Sequence, residues 1–260
     1  MHNFDQVIVT GCSFSCGTEM NDSLLPTYAS VQERQASIWR WAKQNINMNF
    51  DSVDKLHSVS NQKWEEMERA MSWPVLLEKK IKTPVINLSK IGSSTGRSLV
   101  TFSAYIREQS HKAKNKSLVI HQLPSYARMY IRFNQQHGRI NVLPTDMEQN
   151  KNFGFDKAYF QKNISKVREH YKSKTADQNF LVRYTNIILQ RLEKLSVENS
   201  VANYYILPEK NDAIDLPKNK IIIEDFSVFR ANYPKGLQGH PIGLEYNNDL
   251  CDKIIATFGH

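Results

Sequence analysis

Val7-Ile8-Val9-Thr10-Gly11-Cys12-Ser13-Phe14-Ser15-Cys16-Gly17 is the stretch on which the reading of the fold turns. Three consecutive β-branched residues leave no polar position for a solvated face, so both faces of the strand they form have to be buried, as in the interior of a parallel sheet. The run stops abruptly at Thr10-Gly11, and the strand must end there in a glycine turn.

The same signature recurs along the chain, at Pro84 to Leu88, Leu118 to His121, Asn203 to Leu207 and Lys220 to Ile223. Between these runs lie segments of helical periodicity: Trp64 to Lys82, Arg97 to Lys112, Phe155 to Lys172, Phe180 to Glu198, and a closing segment from Glu245 to Phe258. In the fourth of them Leu181, Tyr184, Ile187, Ile188, Leu192 and Leu195 return near the helical period. Strands alternating with helices of this length predict an α/β fold, a three-layer α/β/α sandwich around a central parallel sheet of about five strands. Two stretches interrupt the alternation. Residues 19–62 read as a polar and helical insertion, and residues 126–144 as a hairpin in which Met129 to Phe133 and Arg139 to Leu143 flank Asn134 to Gly138. With no Pro-, Gly- or Ser-rich linker and no internal repeat, residues 1–260 are expected to form one domain carrying these two insertions.

Composition narrows the function classes. A chain of 260 residues can bury a sizeable core without disulfides, and 40% hydrophobic with 23% charged residues is a globular composition. No apolar run reaches the ~18 residues needed to span a bilayer, and the N-terminus lacks the pattern of a signal peptide, so a cytoplasmic protein without membrane contact is expected. Cys12, Cys16 and Cys251 match no zinc spacing and are an odd number, which predicts reduced thiols. The formal charge of +8 favours anionic partners, but the basic residues are dispersed from Arg34 to Lys253. Weak polyanion binding is therefore the expectation, rather than a dedicated nucleic-acid surface.

Glycine is scarce: the chain has 10, against the roughly eighteen that average usage would give. Seven of them fall in GCSFSCG (11–17), IGSSTG (91–96) and GLQGHPIG (236–243), which points to tight turns around a ligand. Ser13, just past the first strand, stands where an open α/β sheet binds ligands, with backbone N–H groups near its hydroxyl. That is a nucleophile's position, and also one where a serine closes a turn or caps a helix. Among eight histidines, His240 alone stands in a glycine-rich loop, where a neutral imidazole can act as a general base. His121, within an apolar strand, reads as a core histidine. Cys12 or Cys16 is an alternative nucleophile, since a thiol needs less activation than a hydroxyl.

The ordered blocks V-T-G-C-S-F-S-x-G at the N-terminus, N-L-S-x-x-G-S-S-T-G-R after the second strand and G-H-P near the C-terminus resemble the SGNH (GDSL-like) hydrolases. The resemblance is to divergent members with a GCSF-type block, of phage or bacterial kind. It implies a flavodoxin-like α/β/α fold, a serine ester hydrolase needing no metal or organic cofactor, and a small-molecule or glycan ester as substrate. Carried over residue by residue, it makes Ser13 the nucleophile, Gly92 an oxyanion donor and His240 the base. Three positions depart from the pattern. Cys12 replaces the usual aspartate, and the block after the third strand reads His121-Gln122-Leu123-Pro124-Ser125, without the expected asparagine. Leu237 occupies the place of the triad acid. Gln122 or Ser125 is then the substitute oxyanion donor, Thr95 and Arg97 are candidates to reach the pocket, and Asp225 is the candidate for a distant acid. A Ser-His dyad with reduced activity follows, since a missing oxyanion donor costs ~3 kcal/mol in the transition state and a missing acid about 10⁴-fold in rate. The alternative is a catalytically weakened binding protein on the same fold, contacting a partner or polyanion through its insertions. A nucleotide-binding Rossmann protein fits less well, because the first turn has neither G-x-G-x-x-G nor a P-loop lysine.

Overall fold

The computed structural model describes residues 4–12, 15, 69–90, 93–109, 116–124, 129–132, 139–142, 169, 178–207, 213–216, 220–223 and 244–258. In chain order the elements are β1 (Gln6–Thr10), α1 (Trp73–Ile81), β2 (Val85–Asn87), α2 (Thr95–Gln109), β3 (Ser117–Gln122), β4 (Met129–Arg132), β5 (Arg139–Val142), α3 (Gln178–Glu198), β6 (Ala202–Ile206), β7 (Ile221–Ile223) and α4 (Leu244–Phe258).

The main sheet has the order β2-β1-β3-β6-β7, and every pairing in it is parallel. Four strands pair in unbroken register, Val9 lying opposite Asn87 on one side and Ile120 on the other. The fifth, β7, is a three-residue edge joined to β6 through a register shift at Tyr205 and Ile206. The regular sheet is thus four strands, with β7 appended where about five were expected. β4 and β5 form a separate antiparallel pair, matching the expected hairpin. The 19–62 insertion and the Phe155 to Lys172 helix, apart from Glu169, lie outside the described residues.

Side chains alternate across each strand, so one run of apolar residues supplies two cores. Val7, Val9, Leu118, Ile120 and Ile206 face α1 and α4, packing with Trp73, Leu77, Tyr246, Leu250 and Ile254. Ile8, Val119 and Tyr205 face α2 and α3, packing with Phe102, Leu189 and Leu192. The sheet is therefore covered on both faces, which is the physical reason its strands carry no polar alternation.

One boundary corrects the sequence reading. The helix expected from Trp64 to Lys82 is broken before Trp73: Ser72 is extended, with φ −71° and ψ 154°, and Pro74 stands in the first turn of α1. Proline tolerates that place because it has no N–H to satisfy there, whereas inside a continuous helix its ring would clash with the preceding turn. Ser72 still caps with its backbone, its carbonyl accepting from the N–H groups of Val75 and Leu76 at 3.1 and 3.2 Å. Its hydroxyl turns back to the Arg69 carbonyl at 2.6 Å.

Candidate active site

Numbered among the parallel strands alone, the sheet runs 2-1-3-4-5, and its connections leave β1 and β3 in opposite directions. In open α/β sheets of this kind ligands bind in the crevice outside the carboxyl ends of those two strands. The residues there are Thr10-Gly11 at the end of β1, Asn87 to Lys90 at the end of β2, and Gln122-Leu123 at the end of β3.

Hydrogen bonds draw these three segments together. The Gly11 carbonyl accepts from the Lys90 N–H at 3.2 Å, and Asn87 Nδ2 donates to the Ser15 carbonyl at 2.8 Å. Asn87 Oδ1 in turn accepts from the Ser89 N–H at 3.0 Å, so one side chain fixes both the first turn and its own loop. Arg69 Nη2 braces the loop from outside by donating to the Ser89 carbonyl at 3.0 Å. The approach at Gly11 is too close for any side chain: a Cβ there would collide with Ser15 Oγ and come within 3.1 Å of both Cβ and the carbonyl oxygen of Gln122. Glycine is needed for this contact between the turn after β1 and the end of β3.

Gln122 is the central polar group of the edge. Its Oε1 accepts from the Ser15 hydroxyl and from the Trp73 indole N–H, the latter at 3.0 Å. Its amide nitrogen is buried and has no partner among the described residues, and the same holds for the buried Ser89 hydroxyl. A buried polar group left unpaired costs about 1–3 kcal/mol, and folded proteins rarely carry one without a reason.

On the other face of the sheet, His121 is a core histidine, as its strand position implied. Its Nδ1 lies 2.7 Å from Thr10 Oγ1, and its ring stacks on Tyr205 and meets Phe102 edge-on, with both centroids 5.3 Å away. Burial pushes its pKa down to about 3, against the pull of Glu193, so it is neutral at pH 7 and a poor proton acceptor. Tyr205 also donates to Glu193 Oε1 at 2.8 Å, and Glu193 pairs with Lys220 at 2.6 Å.

Of the site residues that the family resemblance implies, Gln122, Thr95 and Arg97 are described. Gln122 stands at the crevice, while Thr95 is buried in the first turn of α2. The Arg97 N–H donates to Ser94 Oγ at 3.3 Å, which caps that helix. Ser13, Gly92, Ser125, Asp225 and His240 lie outside the described residues, as does Cys16. Cys12 is buried, a poor position for a nucleophile that must meet a substrate. Among the described residues no three His, Cys, Asp or Glu side chains gather to hold a metal, and no helix is long and apolar enough to cross a membrane. The sequence reading missed Ser15, Asn87 and Trp73. The first two lie inside the quoted blocks, and Trp73 reaches the site only through tertiary packing.

No family model matches the chain, and no curated protein does. Among solved structures it is similar to the psychrotrophic esterase EstA from Pseudoalteromonas, with a TM-score of 0.46 at 10% identity over 98% of this chain and 97% of that one. It is also similar to a member of the lipolytic G-D-S-L family from Veillonella parvula, with a TM-score of 0.36 at 11% identity over 98% of each chain. A third is TesA, at TM-score 0.35 and 14% identity over 97% of each.

Proposed function

We propose that the chain is an SGNH-type serine hydrolase that removes an acyl group from an ester of a carbohydrate or other small molecule. The observation that carries the reading is the meeting of the segments at the ends of β1, β2 and β3 at the switch point, with the Gln122 amide N–H₂ buried there and without a partner among the described residues. An oxyanion hole needs donors that the fold has not already used, and this is such a donor in the block where the family places one.

The chemistry then runs in two steps. Ser13 Oγ attacks the ester carbonyl carbon while His240 takes the hydroxyl proton, and the carbonyl oxygen becomes an oxyanion held by N–H groups of Gln122, Gly92 and Ser13. Collapse breaks the bond to the alkoxy oxygen, and His240 returns its proton to the departing alcohol. Water, or another acceptor alcohol, repeats the sequence on the acyl-serine and releases the acid or the transferred ester. No step calls for a metal or an organic cofactor. Because Leu237 stands where the acid is usual, Asp225 or a backbone carbonyl orients His240, and turnover is slower than a full triad gives.

The test is turnover of p-nitrophenyl acetate. Wild type is expected to cleave it, and Ser13→Ala and His240→Ala each to lose nearly all kcat, with little further loss in the double variant because the two residues act as one unit. A large fall on Asp225→Asn identifies the distant acid. Equal rates for wild type and Ser13→Ala on all short-chain esters would overturn the reading in favour of a binding protein on this fold.

A further inference from the structure

The side-chain amide of Gln122 has two ends of nearly equal shape, and a half-turn about its last torsion exchanges a pair of donors for an acceptor. The neighbours decide which end faces where. Ser15 does not decide, because a hydroxyl donates to an oxygen as readily as it accepts from an amide N–H. Trp73 does: an indole N–H donates and never accepts, so the atom 3.0 Å from it has to be Oε1. In the flipped amide two donors would face each other in a buried site, a cost that biases the orientation by about one to two powers of ten.

The indole is itself held firmly. Trp73 is fully buried at the start of α1, between β1, β3 and α4, and its carbonyl accepts from Cys251 Sγ at 3.2 Å. Burial holds that thiol protonated, with its pKa pushed up to about 12 despite nearby Lys80, and Asp252 adds to the rise. Among the described residues the indole N–H makes no other hydrogen bond, and its effect is to commit both lone pairs of Oε1 inward, leaving the N–H₂ end without a partner there. Donation to Oε1 also polarises the amide and strengthens its N–H groups as donors.

We infer that Trp73 is a positioning residue, whose indole N–H fixes the Gln122 amide with its N–H₂ end presented to the oxyanion of ester cleavage. The inference rests on the hydrolase reading above and adds to it a residue that never touches substrate.

Kinetics on p-nitrophenyl acetate separate the two. Trp73→Phe keeps an aromatic body and removes the donor, so kcat is expected to fall about three- to tenfold with KM unchanged. Gln122→Ala should lose about 10²–10³-fold. In the Gln122→Ala background Trp73→Phe should cause no further loss, because its only route to the chemistry has gone. A structural role would lower kcat by the same factor in both backgrounds, and that result, or full activity in Trp73→Phe, overturns the inference while a Ser13→Ala loss leaves the hydrolase standing. If Ser13→Ala matches wild type, the hydrolase reading fails and the inference falls with it. Should Trp73→Phe not fold, wild-type protein labelled with ¹⁵N supplies the test: saturating phenylboronic acid, a tetrahedral oxyanion mimic, should move the Gln122 amide protons downfield. Unmoved protons at saturation overturn the inference.

Discussion

His121 shows how a single buried residue sets a pH limit on the whole fold. Its ring lies between Phe102 and Tyr205 with Thr10 as its one hydrogen-bond partner among the described residues, and burial lowers its pKa from 6.5 to about 3. The folded state therefore binds its proton less readily than the unfolded chain. Well above about pH 6.5 neither state is protonated and this residue adds no pH dependence to stability. As pH falls from there towards about 3 the unfolded chain takes up the proton and the folded one does not, so stability drops by about 1.4 kcal/mol per pH unit from this site. Glu193 adds a second acid-labile contribution. Burial pushes its carboxyl up, but hydrogen bonds from Lys220, Tyr205 and Asn203 and the Lys220 charge outweigh that and hold it low, so its share is lost on protonation at lower pH. Urea unfolding between pH 4 and pH 7 should show the slope in wild type and a flatter acid limb in His121→Asn, although that variant is less stable at pH 7. An acid limb of equal steepness in the variant would mean that another group sets it.

Two helix ends carry a conformational cost that the sequence does not advertise. α1 closes on Lys82, at φ 55°, and the turn after α3 passes through Ser200, also at φ 55°. The Lys82 N–H returns to the Glu78 carbonyl at 2.9 Å and the Val201 N–H to the Ser196 carbonyl at 2.9 Å, so both are closed turns in which glycine is the favoured residue. A left-handed conformation costs a residue with a Cβ about 1–2 kcal/mol, and glycine gives back roughly 0.4–1 kcal/mol in unfolded-state entropy. Lys82→Gly and Ser200→Gly should therefore each stabilise by about 0.5–1 kcal/mol, additively, since the two turns lie on opposite faces of the sheet. Thermal unfolding of the single and double variants checks this, and a fall in Tm in both would refute it. Elements with both faces buried were legible as continuous apolar runs, as β1, β3 and β6 show. The start of α1 was misread because periodicity ran on through Trp64 to Lys82 while Pro74 had already placed a helix start.

At the scale of the molecule, the sequence carries the pieces of the crevice but not the strand order that unites them. Gly11 and Gln122 were readable as strand ends, and their contact follows only from β1 pairing with β3. Trp73 was unreadable as a site residue, because what it meets is fixed by how α1 packs against the sheet, 49 positions from Gln122. Net charge, by contrast, is wholly legible: 34 Lys and Arg against 26 Asp and Glu. Some basic side chains are locally neutralised, Lys80 by Asp252, Lys194 by Glu198 and Lys220 by Glu193. The rest of the surplus is dispersed along the chain, and we propose that a polyanion would meet scattered charges and make few contacts at once. Affinity that rests on releasing a few counterions is weak, so even a modest rise in salt is enough to abolish it. The protein should be retained on a heparin matrix at about 50 mM salt and released by about 200 mM. Ser13→Ala, which changes no charge, should elute at the same salt while losing esterase activity. Retention well above physiological salt would show basic residues gathered on one surface, and would favour the binding protein over the enzyme.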